Sequence, residues 1–247
     1  LERGPVRFVF VGHEAFRREK IYGYDDDFRR FALLTRAVPQ VARRVGFLPD
    51  LVHVHDWHTA LLPLLLERGW HLPEGWPGLK SVLTIHNAQH QGTADSREAV
   101  HLLRLPGELA RNWDGGSPGY HANALKAGIE AADAVTTVSP TYSQELLTPE
   151  YGYGLQELLL RHRGKFSGIL NGLDYATWDP ATDPLLKHDY DKDDLGGKAK
   201  AKEELTGAAG LDGKRPLLGV VSRLAEQKGI DILLDAAEAL IEQGWAL

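Results

Sequence analysis

Cysteine and methionine are both missing from the 247 residues. Without cysteine there is no disulfide, no thiolate nucleophile and no thiolate metal ligand. Without methionine, opening at Leu1 and closing in the apolar run "EQGWAL", the sequence reads as an internal fragment, or as a chain with residues lost. No apolar run approaches the roughly 18 residues of a membrane span. Positive charge is short, with 28 Lys+Arg against 34 Asp+Glu and a formal charge of -6. The basic face that nucleic-acid binding wants is therefore not expected. Neither "GxxxxGK[ST]" nor "GxGxxG" occurs, so two standard phosphate fingerprints are absent.

What remains is ordinary globular composition, 43% hydrophobic and 25% charged. Short runs rich in Val, Ile and Leu recur: "VRFVFVG" at 6–12, "DLVHVHD" at 50–56, "SVLTIHN" at 81–87, "AVTTVSP" at 134–140, "FSGILNG" at 166–172 and "PLLGVVSR" at 216–223. Several are followed by helical spacing, as in "DFRRFALLTRAVPQVARRV" (27–45), "TALLPLLLERG" (59–69), "TYSQELL" (141–147) and "KGIDILLDAAEALIEQG" (228–244). Pro39 is expected to kink or restart the first of these. Strand alternating with helix implies a parallel sheet with helices on both faces. The polar stretch 183–215, with one helix expected over 198–206, separates the first five strands from the last, and a domain change is placed near Asn171. The long connection 93–123, with "WDGGSPG" inside it, has the length of a functional or mobile segment.

Strand ends carry the chemistry. Val82, Leu83 and Ile85 make a buried strand; His86, Asn87 and Gln91 stand where it opens. A tight turn satisfying its own backbone would explain one such end. Here "HVHDWH" (53–58), "NGLD" (171–174) and "SRLAEQKG" (222–229) close other strands in the same way. In open parallel sheets ligands bind beyond the carboxyl ends, so polar clusters at several ends point to one shared crevice. Arg223 and Lys228 flank a turn into a helix, and two fixed cations there suit a diphosphate as well as they suit bulk water.

Taken together, "YGYDDDFRRFALLTRA", "PDLVHVHDWHTALLP", "LTIHNAQHQG", "NALKAGIEAADAVTTVSPTYSQELLTPEYGYGL", "KFSGILNGLDYATWDPATDPLL" and "LGVVSRLAEQKGIDILLDA" resemble, in order, the bacterial glycogen synthases and plant starch synthases, retaining glucosyltransferases of family 5. The resemblance implies an α/β protein of GT-B architecture, with two Rossmann-like, doubly wound parallel-sheet domains, the second incomplete. Residues 1–170 would be the end of the glucan-acceptor domain, and 171–247 the start of the nucleotide-sugar domain. The implied partners are ADP-glucose and an α-1,4-glucan, glycogen or maltooligosaccharide, with no nucleic acid, membrane, cofactor or metal. The implied setting is a bacterial cytoplasm, or a plastid in a plant. Arg223 and Lys228 match the diphosphate-binding pair. His86 matches the histidine beside the donor glucose, and Asp56, Trp57 and His58 the acceptor-side motif. Asn87 follows His86 in the same motif, and Asn171 matches the interdomain asparagine. Tyr24 and Tyr142 are glucan contacts by the same likeness.

Two segments of the family pattern are not in this sequence: an N-terminal Lys-x-Gly-Gly loop and a later "E-x-x-E-P-C-G" region. The fragment by itself is therefore expected to be inactive. "HNLAYQG" of the family reads "HNAQHQG" here, which places His90 where an aromatic is usual. Three other readings stay open on sequence. The first is another GT-B transferase, such as a sucrose- or trehalose-forming one. The second is a glucan-binding remnant without catalysis. The third is a metallohydrolase using His53, His55, Asp56 and His58 of "HVHDWH".

Overall fold

A computed structural model describes residues 2–108 and 121–247. The chain divides into two compact units, Leu1–Asn171 and Gly172–Leu247.

The first unit is built on a four-stranded parallel sheet. Its strands are β3 (Leu51–His55), β4 (Lys80–Ile85), β7 (Ala134–Thr137) and β8 (Phe166–Gly168), in the order β3-β4-β7-β8. Val54 stands opposite Leu83, and Leu83 opposite Val135. Side chains alternate between faces along a strand. Val52, Val54, Leu83, Ile85 and Val135 therefore share one buried face. Burying each of these side chains is worth about 1.5–3 kcal/mol. Leu51, His53, His55 and Thr84 stand on the other, less covered face.

Helices Leu61–Arg68 and Ala124–Ala131 carry Leu61, Leu62, Leu65, Leu66, Leu125 and Ile129 into the core. They approach closely because residue 128 is glycine. A Cβ there would lie 2.5 Å from the carbonyl oxygen of Ala60.

The helix Asp27–Arg44 runs through Pro39 as one element, so the expected restart does not occur. Pro39 cannot donate to the Thr35 carbonyl. Phe31, Thr35 and Pro39 are all buried and follow one another at i, i+4, i+8. Burial of that stripe outweighs the missing bond.

Two expected strands are not formed. Of 6–12, only β2 (Val6–Arg7) pairs, antiparallel to β1 (Glu2–Arg3), while Phe10 is 78% exposed. Of 216–223, only Leu217 makes a bridge, to Ala246. A run that is apolar on both sides needs cover on both faces and a ladder beside it. Neither run has these among the described residues. The second unit accordingly holds helices Gly196–Ala209 and Ile230–Glu242 with that single bridge.

The connection 93–123 contains β5 (Thr93–Asp95), helix Ser96–Leu103 and β6 (His121–Asn123), with β5 and β6 paired antiparallel. Its "WDGGSPG" stretch lies outside the described residues.

Candidate active site at the carboxyl ends of the strands

β3 ends at His55, and the next residue, Asp56, has φ 51°. That left-handed conformation is uncommon outside glycine, and aspartate is among the residues that tolerate it. It turns the chain into the helical turn Asp56–Thr59 and aims the Asp56 carboxylate across at β4. Oδ1 of Asp56 accepts the backbone N–H of His86 at 2.7 Å and that of Asn87 at 3.3 Å. One carboxylate oxygen thus ties the end of β3 to the end of β4, just where the β3–β4 pairing stops at Thr84. His86 is exposed, and its Nε2 lies 3.1 Å from Nδ1 of His55.

The loop after His86 is braced from several sides. Asn87 Oδ1 accepts the N–H of Gln89 at 3.0 Å, which closes a tight turn. The Ala88 N–H donates to the Tyr142 hydroxyl at 3.3 Å. Gln91 donates from Nε2 to the carbonyls of Ala88 (3.2 Å) and Tyr153 (2.8 Å). Its Oε1 accepts from Nδ2 of Asn123 at 2.7 Å. Asn123 also caps its own helix by accepting the Lys126 N–H at 2.9 Å. Asn123 and the Tyr153 carbonyl are positioning groups that sequence reading missed, and His55, named there only as a metal ligand, joins them. Only Asn123 carried a local signal, as an asparagine immediately before a helical run.

Trp57 and His58 form a wall beside this loop. The two rings stack at 4.4 Å and 28°, and Phe31 meets both edge-on, at 5.1 Å and 4.4 Å. Trp57 is half-buried against the core. Gly92, at φ 63°, lets the tryptophan lie flat, since a Cβ there would sit 2.2 Å from Trp57 Cε3. Burial pushes the His58 pKa down, while Asp56 and Asp27 oppose that. Burial also lowers the pKa of His55, helped by His53 and His86, and raises that of Tyr142.

The other expected residues lie in different places. Tyr24 accepts the Lys20 N–H at 3.1 Å, and the guanidiniums of Arg18 and Arg30 each lie 5.3 Å from its ring centre. Arg30 is 4% exposed, pairs with Asp27 and donates to the carbonyls of Ala15 and Ile21, so it pins this loop. Tyr22, rather than Tyr24, approaches His58, at 6.0 Å between ring centres. Asn171 is exposed and ends the first unit. Arg223 and Lys228 are exposed in the second unit, with Lys228 immediately before Gly229, the N-cap of helix Ile230–Glu242.

The "HVHDWH" side chains take different partners, although the His53 and His55 rings lie 4.3 Å apart, centre to centre. His53 meets Thr84 Oγ1 at 2.7 Å, His55 meets His86, Asp56 takes backbone N–H groups and His58 stacks on Trp57. Among the described residues no group of three or more His, Asp or Glu side chains is arranged to hold a metal ion.

Residues 1–161 match the family described as the starch synthase catalytic domain. The chain belongs to that family. It is 45% identical over 241 residues to the glycogen synthase of Lactiplantibacillus plantarum, covering 96% of this chain and 50% of that one. It is 42% identical over 242 residues to that of Clostridioides difficile, with 94% and 50% covered. Against the glycogen synthase of Thermus thermophilus it is 43% identical over 248 residues, with 99% and 51% covered. A solved structure, the catalytic domain of Starch Synthase IV from Arabidopsis thaliana bound to ADP and acarbose, aligns with a TM-score of 0.85 at 38% identity. It covers 94% of this chain and 48% of that one. The chain therefore spans about half the length of the curated relatives it matches. The fold class is α/β of the GT-B kind, as the resemblance implied. Among the described residues no helix is long and apolar enough to cross a membrane.

Proposed function

We propose that this chain is part of a glycogen or starch synthase that transfers glucose from ADP-glucose to the 4-OH at the non-reducing end of an α-1,4-glucan, with retention. The observation that carries this reading is the Asp56 tie between β3 and β4, which sets His86 and Asn87 at the mouth of a parallel sheet in a starch synthase catalytic domain. The first unit is read as the glucan side and the second as the nucleotide-sugar side. The ADP and acarbose of the Arabidopsis relative support a nucleotide donor and a saccharide acceptor. A bacterial cytoplasm fits the glycogen synthases it resembles.

In this reading the bond from C1 of glucose to the diphosphate breaks, and a bond from the glucan O4 to C1 forms on the same face. The acceptor proton leaves with the departing diphosphate. Arg223 and Lys228, beside a helix N-terminus, stabilise charge developing on that diphosphate. His86 hydrogen-bonds the donor glucose and holds it for attack, and positioning of this kind is worth several kcal/mol of barrier. Asp56 sets His86 in place. Trp57 and His58 form the acceptor-side wall, with Asn87, Tyr142 and Asn171 along the crevice and Tyr24 at its outer loop.

The test is glucosyl incorporation into glycogen by the full-length protein, with ADP-glucose and UDP-glucose supplied separately. Retention is read from the α-configuration of the new linkage. Incorporation from ADP-glucose that falls strongly in His86→Ala but little in His90→Ala is expected. No transfer from either donor would overturn the reading.

A further inference from the structure

His55 Nδ1 and His86 Nε2 stand 3.1 Å apart across the ends of β3 and β4, with ring centres 5.2 Å apart. Two imidazole nitrogens at that distance bond only if one carries a proton and the other does not. Two neutral arrangements satisfy this. In one, His55 Nδ1–H donates to a bare His86 Nε2, and both rings are Nδ1–H tautomers. In the other, His86 Nε2–H donates to a bare His55 Nδ1, and both rings are Nε2–H tautomers. The Nε2–H form is the more stable tautomer of a neutral histidine side chain in water. The second arrangement therefore asks neither ring to adopt its poorer form.

The surroundings of His55 keep its ring neutral, as both arrangements require. Burial, His53 and His86 lower its pKa, in that order, against an opposing pull from Asp56. A neutral His55 leaves the pair to be decided by tautomer preference, which favours the second arrangement. Its ring is also confined, because His53 lies 4.3 Å away, centre to centre. His53 in turn is 2.7 Å from Thr84 Oγ1, and that hydroxyl is 2.7 Å from Thr136 Oγ1. Three strands contribute to this polar ladder, on the less covered face of the sheet.

We propose that His55 is a positioning residue for His86: by accepting the Nε2–H it fixes the His86 tautomer and leaves Nδ1 unprotonated as the atom offered to ligand. Which ring nitrogen carries the proton is set by the bond the other nitrogen makes. A bare Nδ1 accepts from an O–H and has nothing to give to a phosphate oxygen. The ligand group that fits is a sugar hydroxyl rather than the diphosphate. This last step rests on the reading of His86 as the residue beside the transferred glucose.

Nitrogen NMR on histidine-labelled protein at about pH 8, above the ordinary imidazole range, tests the assignment without any mutation. A scalar coupling between His86 Nε2 and His55 Nδ1, with His86 Nδ1 resonating as an unprotonated nitrogen, is expected. A protonated Nδ1 on His86, or no coupling between the two rings, overturns it. In the full-length enzyme, His55→Leu should lower kcat about tenfold, the worth of one hydrogen bond, with KM for the donor unchanged. His55→Asn, which keeps an acceptor one atom beyond Cγ, should recover most of that rate. Equal losses in two variants that unfold at the same denaturant concentration would also overturn the proposal. If full-length wild-type protein transfers no glucose while the coupling is present, the functional reading fails and the tautomer assignment stands.

Discussion

The carboxylate of Asp56 accepts the backbone N–H of His86 at 2.7 Å, so the placement of His86 is determined from the neighbouring strand. The same oxygen also takes the Asn87 N–H. Removing it leaves two N–H groups to water at the point where the sheet opens. Asp56→Ala should cost about 1–3 kcal/mol, with the left-handed backbone at 56 adding to the loss. Asp56→Asn keeps an oxygen and tolerates φ 51°, and should lose much less. Denaturant midpoints at unchanged slope measure both. An Ala variant as stable as wild type would show that the tie is incidental.

Gly92 is where the loop meets Trp57. An added Cβ would sit 2.2 Å from Cε3 and 2.7 Å from Cδ2 of the ring, at a φ that side chains rarely adopt. Gly92→Ala should destabilise by about 1–3 kcal/mol from overpacking, with backbone strain on top. Tryptophan fluorescence should shift as the ring is displaced. Trp57→Ala relieves the clash but removes the stack under His58, so the double variant should be less than additive. Strict additivity would mean that the two residues do not touch.

Asp95 caps the helix Ser96–Leu103 and holds Arg97. Its pKa is lowered to about 2, first by the Arg97 side-chain hydrogen bond; desolvation opposes this, and the N–H groups of Arg97 and Glu98 and the Arg97 charge add to the lowering. A carboxyl whose folded pKa is depressed contributes stability that is present above its unfolded pKa and lost as pH falls toward the folded one. In the folded state the carboxyl should therefore stay ionised until pH nears about 2, while its contribution to stability shrinks as pH falls from the ordinary aspartate range toward that value. Carbon NMR of the Asp95 carboxyl reads this directly. A midpoint close to that of a free aspartate would contradict the capping geometry.

Arg223 and Lys228 are assigned to the donor by the functional reading. Each alanine variant in the full-length enzyme should lose at least about a hundredfold in turnover, since one charge contact to a developing diphosphate is worth roughly 3–4 kcal/mol. Lys214→Ala, another exposed cation of the second unit, serves as a control and should leave turnover unchanged. Normal rates in both site variants would take them out of the site.

The four sheet strands were legible because each is a short apolar run with a polar stop, and His86, Asn87 and Asp56 were legible as those stops. The runs at 6–12 and 216–223 look the same in composition, but a strand is a pairing, and pairing is not written in the run itself. Pro39 misled because the local rule concerns one hydrogen bond, whereas three buried residues on one stripe decide the helix. The bracing of the loop was invisible for a different reason. Asn123 reaches Gln91 from 32 positions away, and Tyr142 reaches Ala88 from 54. No spacing rule says which distant N–H or carbonyl a side chain will meet. Trp57 is assigned to the acceptor side by the family resemblance. Its stack on His58, its edge contact with Phe31 and its seat over Gly92 give it a packing role that only the fold reveals.

The segment 86–92 is fastened by Asp56, Tyr142, the Tyr153 carbonyl and Asn123, four anchors from four separate stretches of chain. For protein engineering this means that the seven residues are not a portable cassette. Grafted alone onto another parallel sheet, they would arrive without any of their fastenings and take up whatever shape the new host imposed. The smallest transplantable module is the loop together with its four anchors, and a design that swaps specificity between relatives would have to exchange all five pieces at once.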